Sequence, residues 1–142
     1  MDEKGRVIIP QKFRTELGPS FIIMKGNGGC LFILTEQVWQ KSYERKFAKN
    51  PQKWRNVERF MRDGLIEALP DGQGRVGISA KLRDFAGVEL SSDVLIVGMS
   101  TRLELWSLKR WDEITGDVTD DEIDRFEADG EDDDDSSEIE AS

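Results

Sequence analysis

A chain of 142 residues with 37% apolar side chains has room for one or two small domains, and its net charge of −9 conceals two unlike parts. Fourteen acidic residues against the single cation Arg125 put −13 into residues 117–142, so residues 1–116 carry +4, with nineteen Lys/Arg facing fifteen Asp/Glu. The absence of histidine and the single Cys30 exclude a Ser-His-Asp triad, a Cys-His pair, an internal disulfide and an imidazole zinc site, so no catalytic residue, metal or cofactor is expected.

The chain opens on a phrase that it later repeats. Residues 2–18 return as residues 71–87, with Asp, Gly, Arg, Val, Lys, Arg and Gly at matching places. Two copies of one supersecondary unit follow from such a repeat, each with the same basic surface. Asp2 and Gly5, like Asp71 and Gly74, stand three apart, as a type I turn prefers; the carboxylate accepts turn N–H groups and Gly tolerates positive φ. Strands are predicted over Arg6–Ile9 and Arg75–Ile78. Short helices follow over residues 10–17 and 79–86, started by Pro10 or Ser79 and stopped by Gly18 or Gly87.

Two further strands are predicted in each half, Phe21–Met24 and Cys30–Leu34 in the first, Val94–Val97 and Arg102–Trp106 in the second, joined by hairpin loops. Cys30 reads as a small core residue. The glycine-rich segment Gly26-Asn27-Gly28-Gly29 lacks the Gly-Lys-Ser/Thr ending of a phosphate loop and leads into a strand. Each half then starts a helix at a hydroxyl cap, Thr35 or Ser107, with Trp39 and Trp111 four residues on. The second copy has a strand-like lead-in, Leu65–Leu69, before its turn. The first has only Met1, and a missing lead-in is expected there.

Between the copies, residues 36–63 read as a helical insert broken near Asn50-Pro51. Trp39, Tyr43 and Phe47 make one apolar stripe, with Lys41, Arg45 and Lys49 on the opposite face; Trp54, Val57, Phe60 and Met61 make another. Residues 117–142, with Glu131-Asp132-Asp133-Asp134-Asp135 and little aliphatic content, are expected to be disordered. Their acidic spacing does not match an EF-hand, because Arg125 falls where the first ligand belongs. No apolar run is long enough to span a bilayer and no signal-peptide pattern is present, so a cytoplasmic setting is expected.

The phrase Asp-x-x-Gly-Arg-x-x-x-Pro followed by a short basic helix and Gly resembles the signature of swapped-hairpin AbrB-like DNA-binding proteins. Two such units around a helical insert, over residues 2–116, resemble the MraZ family of bacterial transcriptional regulators. Asp2 through Pro10 fit the family pattern closely, whereas Gly77 and Ser79 depart from it in the second copy. The resemblance implies an α+β fold in which two AbrB-like swapped-hairpin units form one pseudo-twofold barrel: a first unit over residues 1–40, the insert over 41–63, a second unit over 64–112, and the acidic tail. It implies homo-oligomeric rings that bind double-stranded DNA at promoter repeats of a cell-division and cell-wall operon, the protein's own included. Lys4, Arg6, Lys12 and Arg14 in copy one and Arg75, Lys81 and Arg83 in copy two are the candidate DNA contacts, with Asp2, Gly5, Asp71 and Gly74 as structural turn residues. Copy one, which has Lys4 where copy two has Gln73, is expected to dominate binding. The alternatives are an AbrB-like antitoxin or another protein-binding ring scaffold.

Overall fold

The computed structural model describes residues 1–130. In chain order its elements are β1 (Arg6–Ile8), α1 (Gln11–Leu17), β2 (Phe21–Lys25), β3 (Leu31–Leu34), α2 (Glu36–Trp39), a π-helical turn (Gln40–Glu44), α3 (Arg45–Lys49), α4 (Pro51–Arg62), β4 (Ile66–Ala68), β5 (Arg75–Gly77), α5 (Ala80–Ala86), β6 (Val94–Gly98), β7 (Leu103–Ser107), α6 (Leu108–Gly116) and α7 (Asp120–Asp129). The repeat thus yields strand and helix twice. Ser79 caps α5 through its hydroxyl, which accepts from the Leu82 N–H at 3.3 Å. Pro10 precedes α1 with no side-chain cap, its fixed φ of −53° setting the entry.

The strands of the two halves share both sheets. β1 pairs antiparallel with β5, and β4-β2-β3-β7-β6 form a five-stranded antiparallel sheet. The register follows the repeat: Arg6 lies opposite Gly77, and its counterpart Arg75 opposite Ile8, about a centre at Val7 and Val76. In the larger sheet Leu31 faces Leu105 and Ile33 faces Leu103 across β3 and β7. The lead-in strand β4, which belongs to the second half, adds to β2 of the first. β6 lies at the opposite edge of the sheet, and its Val94 to Val97 stay half-buried.

The fold is mixed α and β, but the barrel expected from the sequence is not closed. No ladder joins β1 or β5 to the five-stranded sheet. These strands are three residues long, and they use their ladder bonds on each other. They pack on the sheet through side chains instead. Val7, Ile9, Val76 and Ile78 meet Phe21, Ile23, Leu31, Ile33, Leu103 and Leu105 in one core, with Leu82 and Ala86 of α5. The alternate residues of the same strands, Ile22, Met24, Phe32, Leu34 and Trp106, face the other way into a second core closed by Trp39 and Phe47 of the insert. The insert is therefore the lid of the sheet's second face. Trp39 stacks on Tyr43 with ring centroids 5.5 Å apart, and Phe47 meets Trp39 edge-on at 6.3 Å. Cys30 is fully buried in this core, and burial pushes its thiol up to about 12, so it stays a neutral core residue.

One expectation for the tail is corrected. Residues 120–129 form a helix, α7, rather than a disordered segment. The reason is local: Thr119 Oγ1 accepts from the Glu122 N–H at 3.1 Å while the Glu122 carboxylate accepts from the Thr119 N–H at 3.1 Å. Asp120, Asp121 and Glu122 also place negative charge at the positive end of the helix dipole. Residues 131–142, the rest of that expectation, lie outside the described residues.

Candidate nucleic-acid interface

Each Asp-x-x-Gly-Arg phrase folds into the same carboxylate-centred turn. Asp2 Oδ1 accepts from the N–H groups of Lys4 at 2.9 Å and Arg6 at 2.8 Å, and Oδ2 accepts from Arg6 Nε at 2.8 Å. Asp71 does the same with Gln73 at 2.9 Å, Arg75 N–H at 3.0 Å and Arg75 Nε at 2.8 Å. The Gly5 and Gly74 N–H groups close the turns on the Asp2 and Asp71 carbonyls. These donors, led by the Arg6 N–H, hold the Asp2 carboxyl below its ordinary value. The equivalent set, led by the Arg75 N–H, lowers Asp71 from 3.8 to about 2. The two acids are thus structural, and each aims an arginine along the ribbon.

Arg6 and Arg75 stand on the outer face of the β1-β5 ribbon, because Val7 and Val76 between them point into the core. Ile8 shares that outer face and is 61% exposed; its counterpart in the second copy, Gly77, has open space where a side chain would be. Arg6 and Arg75 line one groove with Asp2, Ile8 and Pro10, between the ribbon and Ser91, Asp93, Val94 and Ile96 at the start of β6.

The helix cations separate into two kinds. Arg14 and Arg83 turn inward and cross between the halves. The Arg83 guanidinium lies over Gly5 and donates from Nη1 to the Ile78 carbonyl at 2.7 Å. Arg14 lies over Gly74, where a Cβ would sit 2.6 Å from its Cζ. Its Nε is buried there without a hydrogen bond among the described residues. The Ile9 N–H donates to the Gly74 carbonyl and the Ile78 N–H to the Gly5 carbonyl, at 3.0 and 2.8 Å. Each turn is thus braced by the opposite half. Sequence spacing gave no sign of this, since the partners are about seventy residues apart; the matching Gly and Arg in both copies were the available signal. Lys4 and Lys12 are exposed, Lys12 with its ammonium 4.9 Å from the Phe13 ring. Lys81 is exposed but donates to Asp63 Oδ1 at 2.5 Å, whose other oxygen takes Lys25 at 2.6 Å. These two ammonium groups lower Asp63 to about 2.

Glu104, a buried acid in the second core, is satisfied by Arg102 Nη2 at 2.8 Å and Trp106 Nε1 at 3.0 Å, and Arg102 lies 3.9 Å over Phe32. This cluster is a packing device. Among the described residues no group of Cys, Asp or Glu is arranged to hold a metal ion, and no helix is long and apolar enough to cross a membrane.

Against this geometry, the family model described as "MraZ protein, putative antitoxin-like" matches residues 1–63 and again residues 64–134. The chain belongs to the MraZ family. The two matches to the MraZ family model each contain one of the two turns. Among the relatives, the transcriptional regulator MraZ of Halothermothrix orenii is 44% identical over 114 residues, 78% of each chain. That of Thermoanaerobacter sp. strain X514 is 43% identical over 128 residues, 87% of each, and that of Lactobacillus johnsonii 41% over 118 residues, 81% of this chain and 80% of the relative. The MraZ relatives are named as regulators and not as enzymes, in line with a chain in which no catalytic residue was expected.

Proposed function

We propose that this MraZ-family chain is a cytoplasmic, nucleoid-associated transcriptional regulator that reads double-stranded DNA with the outer face of the β1-β5 ribbon. The observation that carries this reading is the placement of Arg6 and Arg75 as symmetric mates on one exposed two-stranded ribbon, in a body of net charge +4. A two-stranded ribbon fits the major groove of B-DNA, and an arginine fork can meet guanine O6 and N7 together. Each Arg uses Nε on its turn aspartate, which fixes the side chain before DNA arrives. Ile8 on the same face suits a thymine methyl. Lys4 and Lys12 are phosphate contacts, and Lys81 joins them if it leaves Asp63. Arg14 and Arg83 act by holding the turns in place. Copy one dominates, because it alone has Lys4 and Ile8 on this surface.

The names of the relatives as transcriptional regulators support the regulatory part of the reading. Binding to repeated promoter elements, including those of its own cell-division and cell-wall operon, follows if the chain assembles into homo-oligomeric rings, since weak identical ribbons then act by avidity. The test is a salt titration of DNA affinity on a promoter repeat and on random DNA. A steep fall with salt and a preference for the repeat are expected. Charge reversal of Arg6 should cost more affinity than reversal of Arg75; the opposite order overturns the ranking. The antitoxin-like part of the family description favours a second reading, a protein-binding scaffold. Flat and negligible DNA binding by an intact oligomer would select it.

A further inference from the structure

The two halves repeat one order of elements, α1-β2-β3-α2 and α5-β6-β7-α6, but they fill one shared cleft differently. In the second half the cleft lies between α5, the β2–β3 hairpin and α6, and Arg110 fills it. From the first turn of α6, Arg110 Nη1 donates to the Phe85 carbonyl at 3.0 Å and to the Gly29 carbonyl in the hairpin at 2.7 Å. The guanidinium lies over two glycines. A Cβ on Gly29 would sit 2.8 Å from Nη1, and one on Gly87 would sit 3.0 Å from Nη2. Phe85 is in the last turn of α5, whose carbonyls have no partner within the helix, so Arg110 also satisfies that helix end.

The first half builds the same cleft and leaves it open. By register with the paired caps Thr35 and Ser107, Arg110 corresponds to Val38 and Gly29 to Thr101; by the repeated phrase, Phe85 corresponds to Glu16 and Gly87 to Gly18. Glu16, Val38 and Thr101 line one cavity of about 380 Å³ between α1, the β6–β7 hairpin and α2. Phe13, Leu17 and Met99 give it apolar walls. Arg110 covers Gly87, whereas nothing lies within 4 Å of a Cβ placed on Gly18. Val38 has no donor to offer the Glu16 and Thr101 carbonyls. Arg102, also in the wall, is engaged with Glu104, to which its Nε and Nη2 donate at 3.1 and 2.8 Å. The Glu16 carboxylate, exposed beside the cavity, has no such partner among the described residues and sets the local charge.

We propose that this cavity binds a small alkylguanidinium molecule, whose guanidinium takes in the first half the place that Arg110 fills in the second. The planar fork donates to the Glu16 and Thr101 carbonyls, and the Glu16 carboxylate supplies the opposing charge. The alkyl chain lies along Phe13, Val38 and Met99. An ammonium group fits less well, because it is a compact and strongly hydrated charge; a guanidinium is weakly hydrated and packs on apolar walls while it donates. The volume is at the small end of the usual range for ligand sites, as suits a ligand of this size. Once bound, the guanidinium ties α1, which carries Lys12 and the Arg14 brace, to the second-half hairpin, as Arg110 ties α5 to the first-half hairpin. The site stands apart from the ribbon and does not depend on the DNA reading.

The test is calorimetric titration of the full chain with butylguanidinium chloride, with butylammonium chloride as the control at equal ionic strength. One saturable site per chain is expected, with a Kd on the order of 1 mM. Butylammonium should bind roughly tenfold more weakly or not at all. Val38→Arg fills the cleft from within the chain and should abolish binding, with the thermal midpoint held or raised. Glu16→Lys changes an exposed position outside both cores and should weaken binding by roughly tenfold or more with stability unchanged; it decides the matter if Val38→Arg does not fold. Sedimentation velocity with and without the probe separates the sources of such a group. An unchanged mass assigns the cavity to a free small molecule. A mass that falls as the probe saturates shows that an arginine of another chain held the cavity, and overturns the assignment. The proposal is also overturned if the parent chain shows no saturable binding, if Glu16→Lys binds as the parent does, or if the two probes bind equally.

Discussion

Gly5 and Gly74 combine φ values of +79° and +81° with a guanidinium from the other half lying where a Cβ would go. Gly5→Ala and Gly74→Ala should each cost about 1–3 kcal/mol from the left-handed backbone alone, measured as a lowered urea midpoint. Arg83→Ala and Arg14→Ala remove the braces over these glycines and should also lower stability. Arg6→Ala and Arg75→Ala break only half-exposed surface ion pairs, so they should change stability little and DNA affinity much. Acids of the turn and of the segment after α4 set a pH dependence. Asp71 and Asp63 are lowered from 3.8 to about 2 in the folded chain, so their stabilising effect is complete above about pH 4 and is lost as pH falls towards 2. Urea midpoints of the parent chain should therefore drop across that window, and Asp71→Asn should show a shallower drop because one of the lowered acids is gone.

Among the elements, the helical insert has the least repeat-like sequence and the most specific packing task. Its i, i+4, i+8 aromatic pattern places Trp39, Tyr43 and Phe47 on the sheet's second face, and the π-helical turn at Gln40–Glu44 keeps the three rings in contact as the helix crosses it. Trp39→Ala should destabilise by ~3–5 kcal/mol, read by chemical denaturation, since it opens a cavity beneath Ile22, Phe32 and Trp106. The stripe, the break at Asn50-Pro51 and the Thr35 cap are all legible in the sequence because each is a local signal; Asn50 Oδ1 indeed accepts from the Lys53 N–H at 3.3 Å. The π-helical turn is not, because no residue type in Gln40–Glu44 marks it. α7 was missed for another reason: acidic composition argued for disorder, while a capping box and Ile123 and Phe126 argued for a helix, and local capping prevailed.

At the scale of the molecule, a net-positive body is joined to a segment of −13. If that segment competes with DNA for the basic ribbon, truncation after Gly116 should tighten DNA binding, mostly at low salt where screening is weak, as measured by fluorescence anisotropy. Unchanged affinity would remove the idea of self-masking.

The repeat, its turns and the order of strands and helices were determined by the sequence alone, because turn residues, caps and periodicity act over a few positions. So was the family, since Asp2 through Pro10 carry its pattern. The tertiary structure decided what the repeated side chains do. Of the matching cations, Arg6 and Arg75 face outward on the ribbon, whereas Arg14 and Arg83 turn inward over the opposite turns. It also decided that the ribbon rests on the sheet without closing a barrel. Both outcomes depend on pairing between segments some seventy residues apart, and a pattern read along the chain has no access to that distance.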